Sequence, residues 1–379
     1  MKKQGARRAL STRSPWWAKT MLGVGAFITL VAGTTVVYAN VLLDTVSDSV
    51  ETADLLGDGD EDTGNPIEGP LNLLIVGTDL RVNDSDGQDR TDTIMILHIN
   101  KNLDKASIVS IPRDLKVEIQ DCGQLFSSPC TYKINSAYNA GLDQWTREEK
   151  FKNLADTVSD LTGIEKFDGA VIMGFEGFLN AVKTFGGIEL CLPIDMVLEQ
   201  QRLEALKKGE EVRMFPKGCN DYNAQEALWI VRERYAYDPA NPDFDPSYGV
   251  SDYGRQHMQQ HFIKQLLKKA TEEGYTTDPT KVSTLIQDVG SSLVIDPIEG
   301  KPITDMAVAL RNVKPSSIET VRLPTTGSKE YFTGVEEDYE TVLPGSEEEQ
   351  IMTELFAALN NDTMDDWIKD NKDLINSDD

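Results

Sequence analysis

The chain has 379 residues, with 37 Lys and Arg against 63 Asp and Glu, a net charge of −26. Its 40% apolar content is enough to fill a core, which excludes a wholly disordered chain. An acidic body of this kind excludes non-specific binding to nucleic acid, while still allowing a local basic pocket.

In chain order, residues 1–20 form a basic tail, with Lys2, Lys3, Arg7, Arg8, Arg13 and Lys19 and no acid. Residues 21–43, Met21 to Leu43, follow as 23 positions without a charge. At 1.5 Å per residue such a helix is about 34 Å long, enough to cross a hydrocarbon core of about 30 Å. The run exceeds the roughly 7–15 residues of a signal-peptide core, so it reads as one uncleaved transmembrane helix. The basic cluster in front of it places the N-terminus in the cytoplasm and residues 44 onward outside the cell. Residues 44–69 are acidic and rich in turn formers, and read as a solvated linker. Residues 331–379 hold fifteen acids and two bases, and read as a solvated acidic C-terminal segment. One helix is expected there, opened by Ser346 and Glu349 as a capping box. Four cysteines outside the membrane read as two disulfides, Cys122–Cys130 closing a local loop and Cys191–Cys219.

Between these ends lies a domain at 70–330. Leu71–Val76, Thr93–Ile99, Ser107–Ile111, Ala170–Met173, Ile188–Cys191 and Glu319–Leu323 are apolar runs that predict strands. Helical spacing predicts helices from Phe151 to a stop at Gly163, and over Phe175–Phe185, Asn223–Arg232, Gly254–Ala270 and Pro279–Val289. Strands interleaved with helices predict an α/β fold, a three-layer α/β/α sandwich around a mixed sheet.

Most catalytic signatures are missing: no P-loop, no GxSxG, and no Cys with a plausible His partner. His257 and His261 stand four apart on a helix without the remaining features of a zinc site, and read as an ordinary polar face. What remains is a set of arginines and acids at strand ends and helix ends: Asp79 and Arg81, Arg90 and Asp92, Arg113 and Asp114, Lys133 and Asn135, Arg232 and Arg234, Arg255 and Gln259. Converging guanidinium forks suit a phosphate or pyrophosphate. Paired carboxylates on different loops suit a hard cation such as Mg²⁺.

The strings GTDLR, DRTDTIMIL, SIPRDLKVEI, KINSAYNAG, GGIELCLPIDM, ALWIVRERY and DYGRQHMQQ, in this order between Leu71 and Gln260, resemble the LytR-CpsA-Psr family. The resemblance implies a membrane-anchored extracellular phosphotransferase. Such an enzyme moves a glycopolymer from a polyprenyl-pyrophosphate carrier to peptidoglycan, or to a surface glycoprotein. It further implies a lipid pocket between sheet and helices, for which Val171, Met173, Phe175, Phe178, Leu179 and Val182 are candidates. Carried over residue by residue, Asp79 and Asp92 match the Mg²⁺ positions and, with Arg90 and Arg113, the catalytic group. Arg81, Arg113, Lys133, Asn135, Arg232, Arg234, Arg255 and Gln259 match the residues facing the pyrophosphate. Met258 departs from the pattern, standing where a second basic residue is common. The pair Cys191 and Cys219 resembles actinobacterial members. Two other readings are a polyprenyl-pyrophosphate hydrolase on the same site, and a non-catalytic receptor or regulator for lipid-linked glycans.

Overall fold

The computed structural model describes residues 50–57, 59, 62, 64–78, 91–233, 252–273, 288–290, 293–301, 303–310, 312–332 and 335–376. The expected anchor at 21–43 and most of the expected helix at 279–289 lie outside them. Among the described residues no helix is long and apolar enough to cross a membrane.

The strands are β1 (Glu51–Thr52), β2 (Leu71–Thr78), β3 (Thr91–Ile99), β4 (Ala106–Ile111), β5 (Lys116–Ile119), β6 (Cys130–Lys133), β7 (Gly169–Gly174), β8 (Ile188–Leu192), β9 (Gly218–Tyr222), β10 (Leu293–Asp296), β11 (Ile318–Arg322), β12 (Thr326–Phe332) and β13 (Val335–Thr341). Seven of them form a mixed sheet in the order β1-β10-β7-β2-β3-β4-β11. The pairs β1/β10, β2/β7 and β4/β11 are parallel, and the other three are antiparallel. The remaining strands make three two-stranded ribbons, β5–β6, β8–β9 and β12–β13.

In β2, Leu73 and Ile75 belong to the core on one face of the sheet, and Leu74 and Val76 to the core on the other. Burial on both faces is why the strand reads as an unbroken apolar run rather than an alternating one. The first face is covered by α2 (Phe175–Thr184), α4 (Ala224–Arg232), α5 (Asp252–Glu272) and α6 (Ile303–Leu310), whose Val182, Val231, Phe262 and Leu310 join its core. The opposite face is covered by α1 (Arg147–Thr162), α7 (Glu347–Asn360) and α8 (Met364–Asp370) through Phe151, Leu154, Leu355 and Trp367. The expected three layers are therefore present. A further helix, α3 (Glu199–Lys208), lies between β8 and β9 in the chain.

Local chemistry sets the helix ends. Thr146 and Glu149 make a reciprocal capping box at α1, which stops at Gly163 with φ 71°. Asn223 caps α4 by accepting the amides of Gln225 and Glu226. Ser346 accepts the Glu349 amide as expected, whereas the Glu349 carboxylate takes the Gly345 amide. The four cysteines form the two expected disulfides. Cys191 and Cys219 face each other across the β8–β9 ladder, and Cys122–Cys130 closes the loop before β6.

Both ends of the domain differ from the sequence reading. The linker is not wholly solvated: Val50, Leu55 and Ile67 are buried, and β1 extends the sheet edge. Asp296 fixes this segment by accepting the amides of Leu55 and Leu56, both at 2.8 Å. The C-terminal segment is not a loose tail either. Seven of its acids lie on α7 and α8 and four on β13, while Leu355, Phe356, Leu359, Met364 and Trp367 complete the second core. Net charge conceals such an amphipathic stripe because it ignores period.

His98 on β3 is 1% exposed and sits between Asn72 and Asp362, its Nδ1 2.8 Å from Asn72 Oδ1 and its Nε2 3.2 Å from Asp362 Oδ1. Burial pushes its pKa below the ordinary value, against the opposing pull of the Asp362 carboxylate. The folded chain thus holds this imidazole neutral, while the unfolded chain protonates it near pH 6.5. Stability should therefore fall as pH drops below about 6.5, and thermal denaturation from pH 7.5 to 5 should show a shallower slope in His98→Gln than in wild type. Leu355→Ala should cost about 2–5 kcal/mol by chemical denaturation, as expected of a fully buried core leucine rather than one in a tail.

Candidate functional site

The site forms where β2 and β3 end. Gly77 pairs with Thr93 but Thr78 pairs with Thr91, so Asp92 is the extra residue of a bulge in β3. Strict alternation would send Asp92 to the face of Ile94. The bulge instead lets Asp92 and Thr93 line the same opening on the face of Met95. Gly77 leaves room for this arrangement, since a Cβ there would stand 3.0 Å from Thr93 Cβ. The Thr93 hydroxyl donates to Gln259 Oε1 at 3.0 Å, tying the strand to α5.

Two guanidiniums grip Asp92. Arg113, in the turn after β4, bonds Asp92 Oδ1 through Nη1. Arg255, in the first turn of α5 and 3% exposed, donates from Nη2 to the Asp92 carbonyl at 3.0 Å. Its Nη1 stands 3.8 Å from Asp92 Oδ1. Arg113 also reaches Asp114 Oδ2 from Nε at 3.4 Å, and Lys133 Nζ lies 3.6 Å from Asp114 Oδ1. The Arg113 turn is fastened by backbone bonds, with the amide of Asn135 donating to the Arg113 carbonyl and that of Ile134 to Leu115. Asn135 thus acts here through its main chain, and its carbonyl accepts from the Thr91 hydroxyl at 3.4 Å.

Behind this polar mouth opens an apolar cavity between the sheet and the first helix layer, about 990 Å³ of empty space counting its open end. Leu73, Ile75, Met95, Val171 and Met173 line it from the sheet. Phe178, Leu228, Val231, Phe262, Ile263 and Leu266 line it from α2, α4 and α5. Phe178 and Phe262 stack with ring centroids 4.0 Å apart and form part of its wall. Arg232, the last residue of α4, joins Asp92, Thr93 and Gln259 among the polar lining residues.

Of the sequence-derived site residues, Asp92, Arg113, Lys133, Asn135, Arg232, Arg255 and Gln259 are gathered around this mouth by direct contact or as lining. Asp79, Arg81, Arg90 and Arg234 lie outside the described residues. Among the lipid-pocket candidates, Val171, Met173 and Phe178 line the cavity, whereas Val182 is packed into the core beside it. The side chain of Phe175 lies outside the described residues, and Leu179 is partly buried against the core.

The expected polar face of α5 needs correcting. His261 is 4% exposed and accepts the Cys191 amide at Nε2, 3.1 Å away, so it braces the β8–β9 ribbon. Met258 is likewise buried in the core, which explains an apolar residue at that position. Sequence reading missed Thr93 and the acid Glu337, which stands 3.5 Å from Lys133. Adjacency to Asp92 in the DRTDT string was the available signal for Thr93, whereas Glu337 had none.

For a divalent cation, the described donor set at the mouth is the Asp92 carboxylate, the Thr93 hydroxyl and the Gln259 amide oxygen. Hard oxygen donors of this kind suit Mg²⁺, which binds few protein ligands. Among the described residues no group of three or more His, Cys, Asp or Glu stands together.

Known proteins share this architecture. The cell wall biosynthesis protein LcpA of Corynebacterium glutamicum is 29% identical over 298 residues, covering 69% of this chain and 51% of that one. The polyisoprenyl-teichoic acid–peptidoglycan teichoic acid transferase TagT of Bacillus subtilis is 25% identical over 246 residues, covering 62% of this chain and 69% of that one. The chain spans about half the length of the first curated relatives it matches. In fold it is similar to TagT bound to LIIa-WTA, with 21% identity and a TM-score of 0.54 over 82% of this chain and 98% of that one. The profile of the LytR_cpsA_psr family matches residues 39–349, a span that takes in the whole sheet, the cavity and the charged mouth, and the chain belongs to that family.

Proposed function

We propose that the protein is a membrane-anchored phosphotransferase, held by residues 21–43 with its domain outside the cell. It moves a glycopolymer from a polyprenyl-pyrophosphate carrier to a hydroxyl of peptidoglycan. The observation that carries this reading is the junction of an apolar cavity with a charged mouth. A polyprenyl pyrophosphate has the same two parts, an apolar chain and an anionic head. The cavity walls suit the chain, and Arg113, Arg232 and Arg255 suit the head. The names of the relatives LcpA and TagT support a role in wall assembly.

In this reading the acceptor hydroxyl oxygen attacks the phosphorus that carries the sugar. A new P–O bond forms as the bridging P–O bond of the pyrophosphate breaks, and polyprenyl phosphate leaves. The hydroxyl proton passes to a carboxylate at the mouth, for which Asp92 is the described candidate that lines it. Arg113 and Arg255 neutralise charge that builds on the phosphate oxygens, the largest demand of phosphoryl transfer. Asp92, with Asp79, would hold Mg²⁺, which supplies further charge neutralisation when bound.

The first test is turnover of a short polyprenyl-pyrophosphate oligosaccharide by the full chain, with and without Mg²⁺. Metal-dependent cleavage should fall at least about 100-fold in Arg113→Ala and in Asp92→Ala. Binding without cleavage, unchanged by chelation, would overturn the enzyme reading in favour of a receptor. A second test is specific to the cavity. Met173→Trp should fill it and weaken binding of a long-chain prenyl pyrophosphate by about tenfold, while inorganic pyrophosphate binds as to wild type.

A further inference from the structure

A chain of side chains runs from Asp92 away from the apolar cavity and ends on the C-terminal ribbon. Asp92 meets Arg113, which meets Asp114, which meets Lys133. Lys133 Nζ then stands 3.5 Å from Glu337 Oε2 on β13. Glu337 is itself held, because Tyr132 aims its hydroxyl at both carboxylate oxygens, at 3.0 and 2.7 Å. Burial in the first place, and the neighbouring carboxylate in the second, push the Tyr132 pKa upward, so the phenol keeps its proton and remains a donor.

The ribbon that carries Glu337 is fixed at three further points. The Glu340 amide donates to the Asp114 carbonyl at 3.0 Å, so β13 holds the main chain of the residue whose side chain meets Arg113. Tyr339, 3% exposed, packs edge-on to Tyr132 with Lys133 Nζ 5.1 Å from its ring centre. Lys116 on β5 reaches across to Glu330 on β12. Glu337 therefore meets Lys133 from a backbone that cannot drift from the Arg113 turn.

We propose that Glu337 is a positioning residue for the phosphate-binding mouth: through Lys133 and Asp114 it fixes the guanidinium of Arg113 across Asp92. The electrostatic logic is a division of charge. Lys133 lies between two carboxylates and shares its cation between them. Removing the charge on Glu337 leaves Lys133 entirely to Asp114, which weakens the hold of Asp114 on Arg113 Nε. Arg113 then has greater freedom to leave the orientation that presents its fork at the mouth, and part of its preorganisation is lost. The inference rests on the reading of the mouth as a pyrophosphate site, and it extends that site to a ribbon beyond the motifs.

The test uses the full chain in detergent with geranylgeranyl pyrophosphate as the probe, its dissociation constant measured by calorimetry. Glu337→Gln should weaken binding about fivefold while its thermal midpoint stays that of wild type, and Glu337→Asp should recover part of the loss. Asp338→Asn, a charge removal at an exposed side chain of the same ribbon that faces Lys329 rather than Lys133, should bind as wild type does. In an Asp114→Asn background, Glu337→Gln should add less than twofold, because the path to Arg113 is already cut. Wild-type affinity in Glu337→Gln, or a full fivefold loss added on top of Asp114→Asn, would overturn the relay while leaving the pyrophosphate site standing. A wild-type chain that does not bind the probe would instead overturn the pyrophosphate reading, and the relay with it.

Discussion

Everything at the mouth of the cavity depends on holding one carboxylate between two guanidiniums beside an apolar space. Asp92 is mostly buried, and a lone carboxylate there would suffer a desolvation penalty of several kcal/mol. Arg113 and Arg255 offset that penalty, and the surrounding structure can be read as the means of delivering them. The bulge turns Asp92 out of the strand alternation, and Gly77 leaves room for the displaced strand. The first turn of α5 supplies Arg255, and a turn clamped by β6 and β13 supplies Arg113. Removing one guanidinium would leave the other to carry the buried charge alone, so the cluster acts as a unit.

The two faces of the sheet have been put to different uses. On the face of Leu74, Val76, Ile94 and Ile96, aliphatic and aromatic side chains from α1, α7 and α8 close onto the strands. On the face of Leu73, Ile75 and Met95, the helices leave an empty volume instead. Packing on one side stabilises the domain, and the gap on the other suits the proposed lipid chain. Side chains that border the gap forgo dispersion attraction on their open side, while the rest of that face packs a core of its own around Val182, Phe185 and Leu190.

The strands and helices that carry the motifs were legible because their signals are local. β2, β3 and β4 are short β-branched runs, and α1 and α4 are bounded by caps that depend on side chains within four residues. Asp92, Arg113, Arg255 and Gln259 could be nominated because acids and arginines stand at the ends of such elements. Less legible were features that exist only through distant pairing. β1 is two exposed residues in an acidic stretch and becomes a strand because β10 lies beside it. Of the closing helices, α7 was marked by its capping box, whereas α8 was hidden by Asp365, Asp366 and Asp370, which mask the burial of Met364 and Trp367. The bulge at Asp92 has no signature in a single strand, because it is a property of a register between two.

The sheet's edges bear on how such a domain can form. One edge joins Glu51 to Val294 and the other joins Ile108 to Thr320, while Val321 is bridged in turn by Ile375. Each pairing closes a loop of the chain that costs entropy before any contact repays it. A chain emerging N-terminus first therefore cannot pair β1 until residues 293–296 have emerged, nor lay α7 and α8 on the second face until residues 347–370 have. Until then a nascent molecule would carry an unpaired strand edge and a partly uncovered apolar face.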